Sequence, residues 1–134
     1  MAEIDSWVES QEFQITLDAQ GKIIDYIDNE IRRANTPEER IRQKMTQILH
    51  CEFAYPISCI GLEKNINIGR DVKRADIVVY NSTAGCANNN QGDIYLIAEI
   101  KAPSVMDTDG QLASYMSTTS AQGGFWTNGK RIEF

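Results

Sequence analysis

The stretch Ile94-Tyr-Leu-Ile-Ala-Glu-Ile-Lys101 constrains the fold more than any other part of this 134-residue chain. A strand with one wet face alternates apolar and polar side chains. A strand without that alternation is covered on both faces. The segment therefore predicts a central strand, stopped by Ala102-Pro103. Arg74-Ala-Asp-Ile-Val-Val-Tyr80, rich in β-branched residues, predicts a second strand, and the alternating run Leu62–Ile68 a third. Between the two apolar strands, Asn81–Asp93 reads as a polar, glycine-containing loop.

Thr36-Pro-Glu-Glu39 has the form of a capping box with proline at the first helical position. Ile41, Met45, Ile48 and Leu49 follow at helical spacing, which predicts a helix over residues 37–50. Asp107-Thr-Asp109 is the expected cap of a second helix carrying Leu112, Tyr115 and Met116 and ending near Gln122-Gly123. Phe125-Trp-Thr127 reads as a strand, Asn128-Gly129 as a hairpin turn, and Arg131–Phe134 as the start of a returning strand. Near the N-terminus, Phe13–Leu17 alternates like a strand and Asp18–Gly21 is a turn. The partner, Lys22–Ile27, is expected as a strand, with a short helix as the alternative. The predicted order is hairpin-α-β-β-β-α-β-β, an α/β fold. A chain that stops inside a hairpin is expected to be a piece of a longer protein, with a very compact terminus as the alternative.

The length suits one domain. The chain has no run of about 18 apolar residues, which excludes a membrane-spanning helix. Met1-Ala-Glu-Ile-Asp5 lacks the basic-then-apolar order of a secretory signal. The three cysteines, Cys51, Cys59 and Cys86, are odd in number and show no CxxC spacing. This favours a reducing, cytoplasmic setting over a disulfide framework or zinc knuckle. His50 beside Cys51 reads as a helix-end residue rather than a metal ligand. The net charge is −6, but residues 1–30 hold eight acids and one base, whereas the remainder holds twelve bases and eleven acids. Residues 1–21 therefore read as an acidic leader to a nearly neutral body. The basic clusters Arg32, Arg33, Arg40, Arg42, Lys44 and Arg70, Lys73, Arg74 are read either as solvated faces or as local phosphate contacts.

Asp76 and Glu99 lie almost equidistant from the centre of the loop Asn81–Asp93. If the flanking strands form an antiparallel hairpin, the two acids face each other across it. Strand periodicity places Lys101 on the same face as Glu99. Charges within apolar strands are costly unless paired or used. One reading is a salt bridge with Lys101. The other is a cation site: two adjacent carboxylates repel, Mg²⁺ relieves the repulsion, and a neighbouring lysine activates water for phosphodiester hydrolysis.

Asp76 followed by Glu99-Ile-Lys101 resembles the D…(D/E)xK signature of restriction-endonuclease-like nucleases, the PD-(D/E)xK superfamily. The surrounding segments are more specific. Thr36-Pro-Glu-Glu-Arg-Ile-Arg-Gln43, Lys73-Arg-Ala-Asp-Ile-Val-Val-Tyr80, Ala98-Glu-Ile-Lys-Ala-Pro103, Gln111-Leu-Ala-Ser-Tyr115 and Thr127-Asn-Gly129 occur in that order. Together they resemble the N-terminal nuclease domain of type I restriction enzyme R subunits over residues 22–134. Ala75 stands where the generic motif has proline.

The resemblance implies a mixed sheet flanked by helices, Mg²⁺-dependent DNA cleavage, and attachment to further domains or subunits of a restriction-modification complex. It implies Asp76 and Glu99 as metal ligands, Lys101 as the catalytic lysine, and Gln111 and Tyr115 as the QxxxY helix motif. Glu39 is implied as an acid that can approach the metal; its other reading is the third residue of the capping box. Tyr115 has an alternative as a core residue. Arg40, Arg42, Lys73 and Arg74 are the candidate DNA contacts. Gly124–Lys130 nearly spells a nucleotide-binding P-loop, but Arg131 replaces the required Ser or Thr and a hairpin follows. A non-catalytic DNA-binding or docking module with the same fold is the alternative function, and a salt-bridged structural domain a third.

Overall fold

A computed structural model describes residues 2–3, 14–105 and 111–134. The main sheet has six strands: β1 (Ala2–Glu3), β4 (Ile60–Ile68), β5 (Asp71–Tyr80), β6 (Ile94–Ile100), β7 (Gly123–Thr127) and β8 (Arg131–Glu133). Their spatial order is β1-β8-β7-β6-β5-β4. Two further strands, β2 (Ile23–Ile24) and β3 (Arg32–Arg33), form a separate small sheet. The helices are α1 (Pro37–Cys51), the short α2 (Thr83–Ala87) and α3 (Gln111–Thr118). The sheet is mixed: β6 pairs with β5 antiparallel and with β7 parallel. No helix among the described residues is long and apolar enough to cross a membrane.

The continuous apolar run in β6 is explained by cover on both faces. On one, Met45, Ile48 and Leu49 of α1 pack with Ile60, Ile77, Val79, Ala98, Ile100 and Phe125. On the other, Tyr115 of α3 packs with Ile66, Val78, Ile94 and Ile97. Each isoleucine fully withdrawn from water contributes about 1.5–3 kcal/mol before chain entropy is counted. α3 lies close to the sheet because Gly124 has no side chain: a Cβ there would meet Leu112, Met116 and the Ile97 carbonyl at 3.0–3.2 Å.

β4 and β5 roll over along their length. Ile60 and Leu62 pack on the α1 side, whereas Ile66 and Ile68, of the same parity, pack on the α3 side. In β5 the change falls between Ala75 and Ile77. The pivot is Glu63, which sits in β4 at φ +53°. A non-glycine residue there costs on the order of 1–3 kcal/mol and persists only where its surroundings hold it. The Leu62–Ile77 and Lys64–Ala75 pairs flank this point, with no paired Glu63–Asp76 register between them.

Several expectations are corrected. Asn81–Asp93 is not a plain loop: it holds α2, capped by the Ser82 hydroxyl on Gly85 N–H, and a 3-10 turn at Gln91–Asp93. α3 ends at Thr118, four residues before Gln122, and its expected cap, Asp107–Asp109, lies outside the described residues. The turn at Asp18–Gly21 forms, with Asp18 Oδ1 accepting from the Gln20 and Lys22 N–H groups. Its arms meet at a single Leu17–Ile23 bridge, and Ile23–Ile24 pairs instead with Arg32–Arg33, a partner not anticipated. Phe13 lies outside the described residues.

Candidate active site

The β5–β6 ladder runs Val79–Leu96, Val78–Ile97, Ile77–Ala98, all sharing the centre expected from the intervening loop. The paired register ends there. Asp76 and Glu99 are next in line, at the point where β5 rolls over, and their side chains take up the freed backbone groups. Asp76 Oδ2 accepts the Ile100 N–H at 2.8 Å, and Glu99 Oε1 accepts the Asp76 N–H at 3.5 Å. The two carboxylates are thereby held side by side in a gap between diverging strands.

Glu99 is 4% exposed. Its carboxyl is pushed up to about 9, first by burial and then by the adjacent Asp76 charge, with Lys101 partly opposing the rise. Desolvation and a like charge both disfavour the ionised form. Lys101 is half-buried, and its N–H bonds the Thr127 carbonyl at 2.8 Å, which fixes the strand end beside β7.

α1 supplies the wall opposite. Thr36 Oγ1 caps the helix by accepting the Glu39 N–H at 3.1 Å. The reciprocal half of a capping box is absent: the Thr36 N–H bonds the Ala34 carbonyl, and the Glu39 carboxylate turns inward. There Glu39 Oε2 accepts from Arg42 Nε at 2.9 Å and from Gln43 Nε2 at 3.0 Å, while Oε1 is held by Arg42 Nη2. The Arg42 guanidinium also reaches Glu63 Oε1 at 3.1 Å and Asp76 Oδ1 at 3.5 Å. Burial works against its charge, but the three carboxylates, Glu39 foremost, outweigh this and raise its pKa. Burial likewise works against Glu63, and Arg42 and Arg33 overcome it, leaving that carboxyl below its ordinary value. Three arginines thus surround the Glu63 carboxylate, Arg74 reaching Oε2 at 3.6 Å. The network continues outward: Gln43 bonds Asp25 and the Tyr26 N–H, and Arg33 pairs with both Asp25 and Glu63.

A cleft of about 300 Å³ opens over this cluster, walled by Glu39, Arg42, Glu63 and Asp76. A larger one, about 380 Å³, lies on the far side of Gln43 and does not touch Asp76; Glu99 and Lys101 line neither cleft.

Asp76, Glu99 and Lys101 are thus brought together. Arg40, Lys73 and Arg74 are exposed. Arg42 is not: at 7% exposure it is an interior cation, which corrects its reading as a solvated side chain. Arg33 is similarly enclosed. Tyr115 is fully buried, and its hydroxyl donates to the Arg74 carbonyl at 2.9 Å, so it braces β5 two residues before Asp76. The Gln111 side chain lies outside the described residues. His50 Nδ1 meets the Tyr55 carbonyl at 2.8 Å, and the three cysteines are unpaired with one another. The spacing of Glu39, Arg42 and Gln43 at i, i+3 and i+4 was the one available signal of a shared helix face. Nothing local pointed to Glu63, Arg33 or Asp25.

Among the described residues no group of three or more His, Cys, Asp or Glu side chains forms a ligand set. The donor chemistry suits Mg²⁺, which is held by one or two carboxylates and fills its remaining positions with water and phosphate. Burial first, and the adjacent Asp76 charge second, hold the Glu99 proton in place; a hard divalent cation would favour the ionised pair.

The fold and site define a mixed α/β domain with a carboxylate pair and a lysine at the mouth of two parting strands. The chain belongs to the family of the type I restriction enzyme R protein N terminus, whose profile matches residues 37–134. No curated protein and no solved structure matches it.

Proposed function

We propose that this domain is a Mg²⁺-dependent DNA endonuclease of the PD-(D/E)xK type, acting within a cytoplasmic restriction-modification complex whose other domains or subunits complete it. The observation that carries the reading is the Asp76–Glu99 pair, set where the β5–β6 ladder ends, with the Glu99 carboxyl pushed up by burial and by the adjacent Asp76 charge. Family membership supports the restriction role.

Asp76 and Glu99 would hold the ion. When bound, Mg²⁺ supplies positive charge against the phosphodiester as negative charge builds in the transition state. Lys101, fixed by its backbone bond to Thr127, donates a hydrogen bond that orients the attacking water. Tyr115 is a core residue that braces the backbone of β5 at Arg74 rather than one that touches the reacting atoms.

The test is nicking of supercoiled plasmid at low salt with Mg²⁺, alongside calorimetric titration with Mn²⁺. Wild type should bind Mn²⁺, and Asp76→Asn should lose both binding and nicking. Lys101→Ala should keep binding and lose nicking. A wild-type chain that binds DNA without Mn²⁺ binding or nicking would instead be the docking module.

A further inference from the structure

Glu39 sits beside the carboxylate pair, and in the metal reading of the site it invites assignment as a third ligand. Its contacts argue otherwise. Both carboxylate oxygens are already engaged, by Arg42 Nε and Nη2 and by Gln43 Nε2. Arg42, by contrast, is suspended between acids. It is clasped by Glu39, bonded to Glu63, and only loosely drawn to Asp76 at 3.5 Å. A guanidinium forms its strongest pairs bidentately, and here the bidentate partner is Glu39. Released from that clasp, Arg42 has one other carboxylate within reach besides Glu63, and that is Asp76. A cation seated on Asp76 opposes a divalent ion at the same oxygen.

We propose that Glu39 is a positioning residue that acts through Arg42: it restrains the guanidinium and so keeps Asp76 open to a divalent cation. This rests on the metal reading of the Asp76–Glu99 pair. Glu39 strengthens cation binding without contacting the ion. Gln43 completes the restraint, because its amide ties Glu39 Oε2 to Asp25 and the β2–β3 sheet.

The experiment compares wild type, Glu39→Gln, Arg42→Gln and the double variant by Mn²⁺ calorimetry on the full chain. Glu39→Gln should weaken binding by about tenfold, a coupling of the size expected for residues in one ion-pair network. Adding Arg42→Gln should return the affinity to near the wild-type value, because the competing cation is gone. A double variant as weak as Glu39→Gln would make Glu39 a ligand and overturn the proposal, as would an unchanged Glu39→Gln. A second arm needs no metal. Asp76→Asn is introduced into wild type and into Glu39→Gln, and stability is read by urea unfolding. The substitution should cost more in the Glu39→Gln background, where Arg42 has closed on Asp76. Equal cost in both backgrounds refutes the restraint. Absence of Mn²⁺ binding by wild type, with unequal costs in urea, refutes only the metal reading.

Discussion

Glu99 couples the acid–base behaviour of the site to the stability of the fold. In the folded chain it holds its proton up to about pH 9, whereas an unperturbed glutamate titrates near 4.5. Between those values unfolding releases a proton, so stability falls as pH rises through this window and levels off above it. Glu99→Gln should flatten the slope, seen as denaturation midpoints that no longer decline from pH 5 to 9; an unchanged slope would place the titration elsewhere. Tyr115 makes a contrasting case. Tyr115→Phe removes the donor to the Arg74 carbonyl and should cost about 1 kcal/mol, the net worth of a typical hydrogen bond. Mn²⁺ affinity should stay at the wild-type level, because the hydroxyl is bound to the backbone carbonyl of Arg74. A loss of affinity with no loss of stability would return Tyr115 to the reacting centre.

At the scale of the element, α1 serves both as core helix and as one wall of the site. Its first turn carries Glu39, and its second carries Arg42 and Gln43. Thr36→Ala removes the N-cap and should lower stability by about 1 kcal/mol. Because the frayed turn is the one that clasps Arg42, Mn²⁺ affinity should fall with it, measured by calorimetry below the unfolding transition. The β5–β6 hairpin was legible in the sequence for a simple reason: antiparallel pairing obeys a fixed arithmetic, and the loop's centre set the register of Ile77 with Ala98. The cap at Thr36 was legible because capping is a local contact. What escaped was non-local. Glu63 looked like the polar position of an alternating strand; its backbone is left-handed, and its carboxylate pairs with arginines twenty-one and thirty residues away. Arg42 looked like a surface charge because only one of its three acids, Glu39, lies near it along the chain, whereas Glu63 and Asp76 are brought in by the sheet. The β2–β3 pairing escaped because two-residue strands leave no periodicity to read.

For the whole molecule, charge governs encounter with DNA. The net charge of −6 opposes approach to a polyanion. Arg42 and Arg33 are spent on acids of the fold, leaving Arg40, Lys73 and Arg74 among the exposed cations. Phosphate contacts supply most non-specific affinity and scale with the number of basic groups engaged. The isolated 134-residue chain should therefore bind duplex DNA weakly, with affinity dropping steeply between 50 and 200 mM salt, and its nicking at low salt should fade to little at physiological salt. Fluorescence anisotropy across that range checks the first point; efficient plasmid cutting by the isolated chain at physiological salt would contradict the second. The bond from Lys101 N–H to the Thr127 carbonyl bears on when the machinery exists at all. Asp76 and Glu99 are brought together by one hairpin, but the bond from Lys101 N–H to Thr127 also needs α3 to cross over and β7 to dock alongside β6. On a ribosome making the chain from its N-terminus, the hairpin is made first and Thr127 follows Lys101 by some twenty-six residues. A nascent chain thus passes through a stage in which the hairpin carrying both carboxylates is complete and the strand that receives the Lys101 N–H has yet to be made.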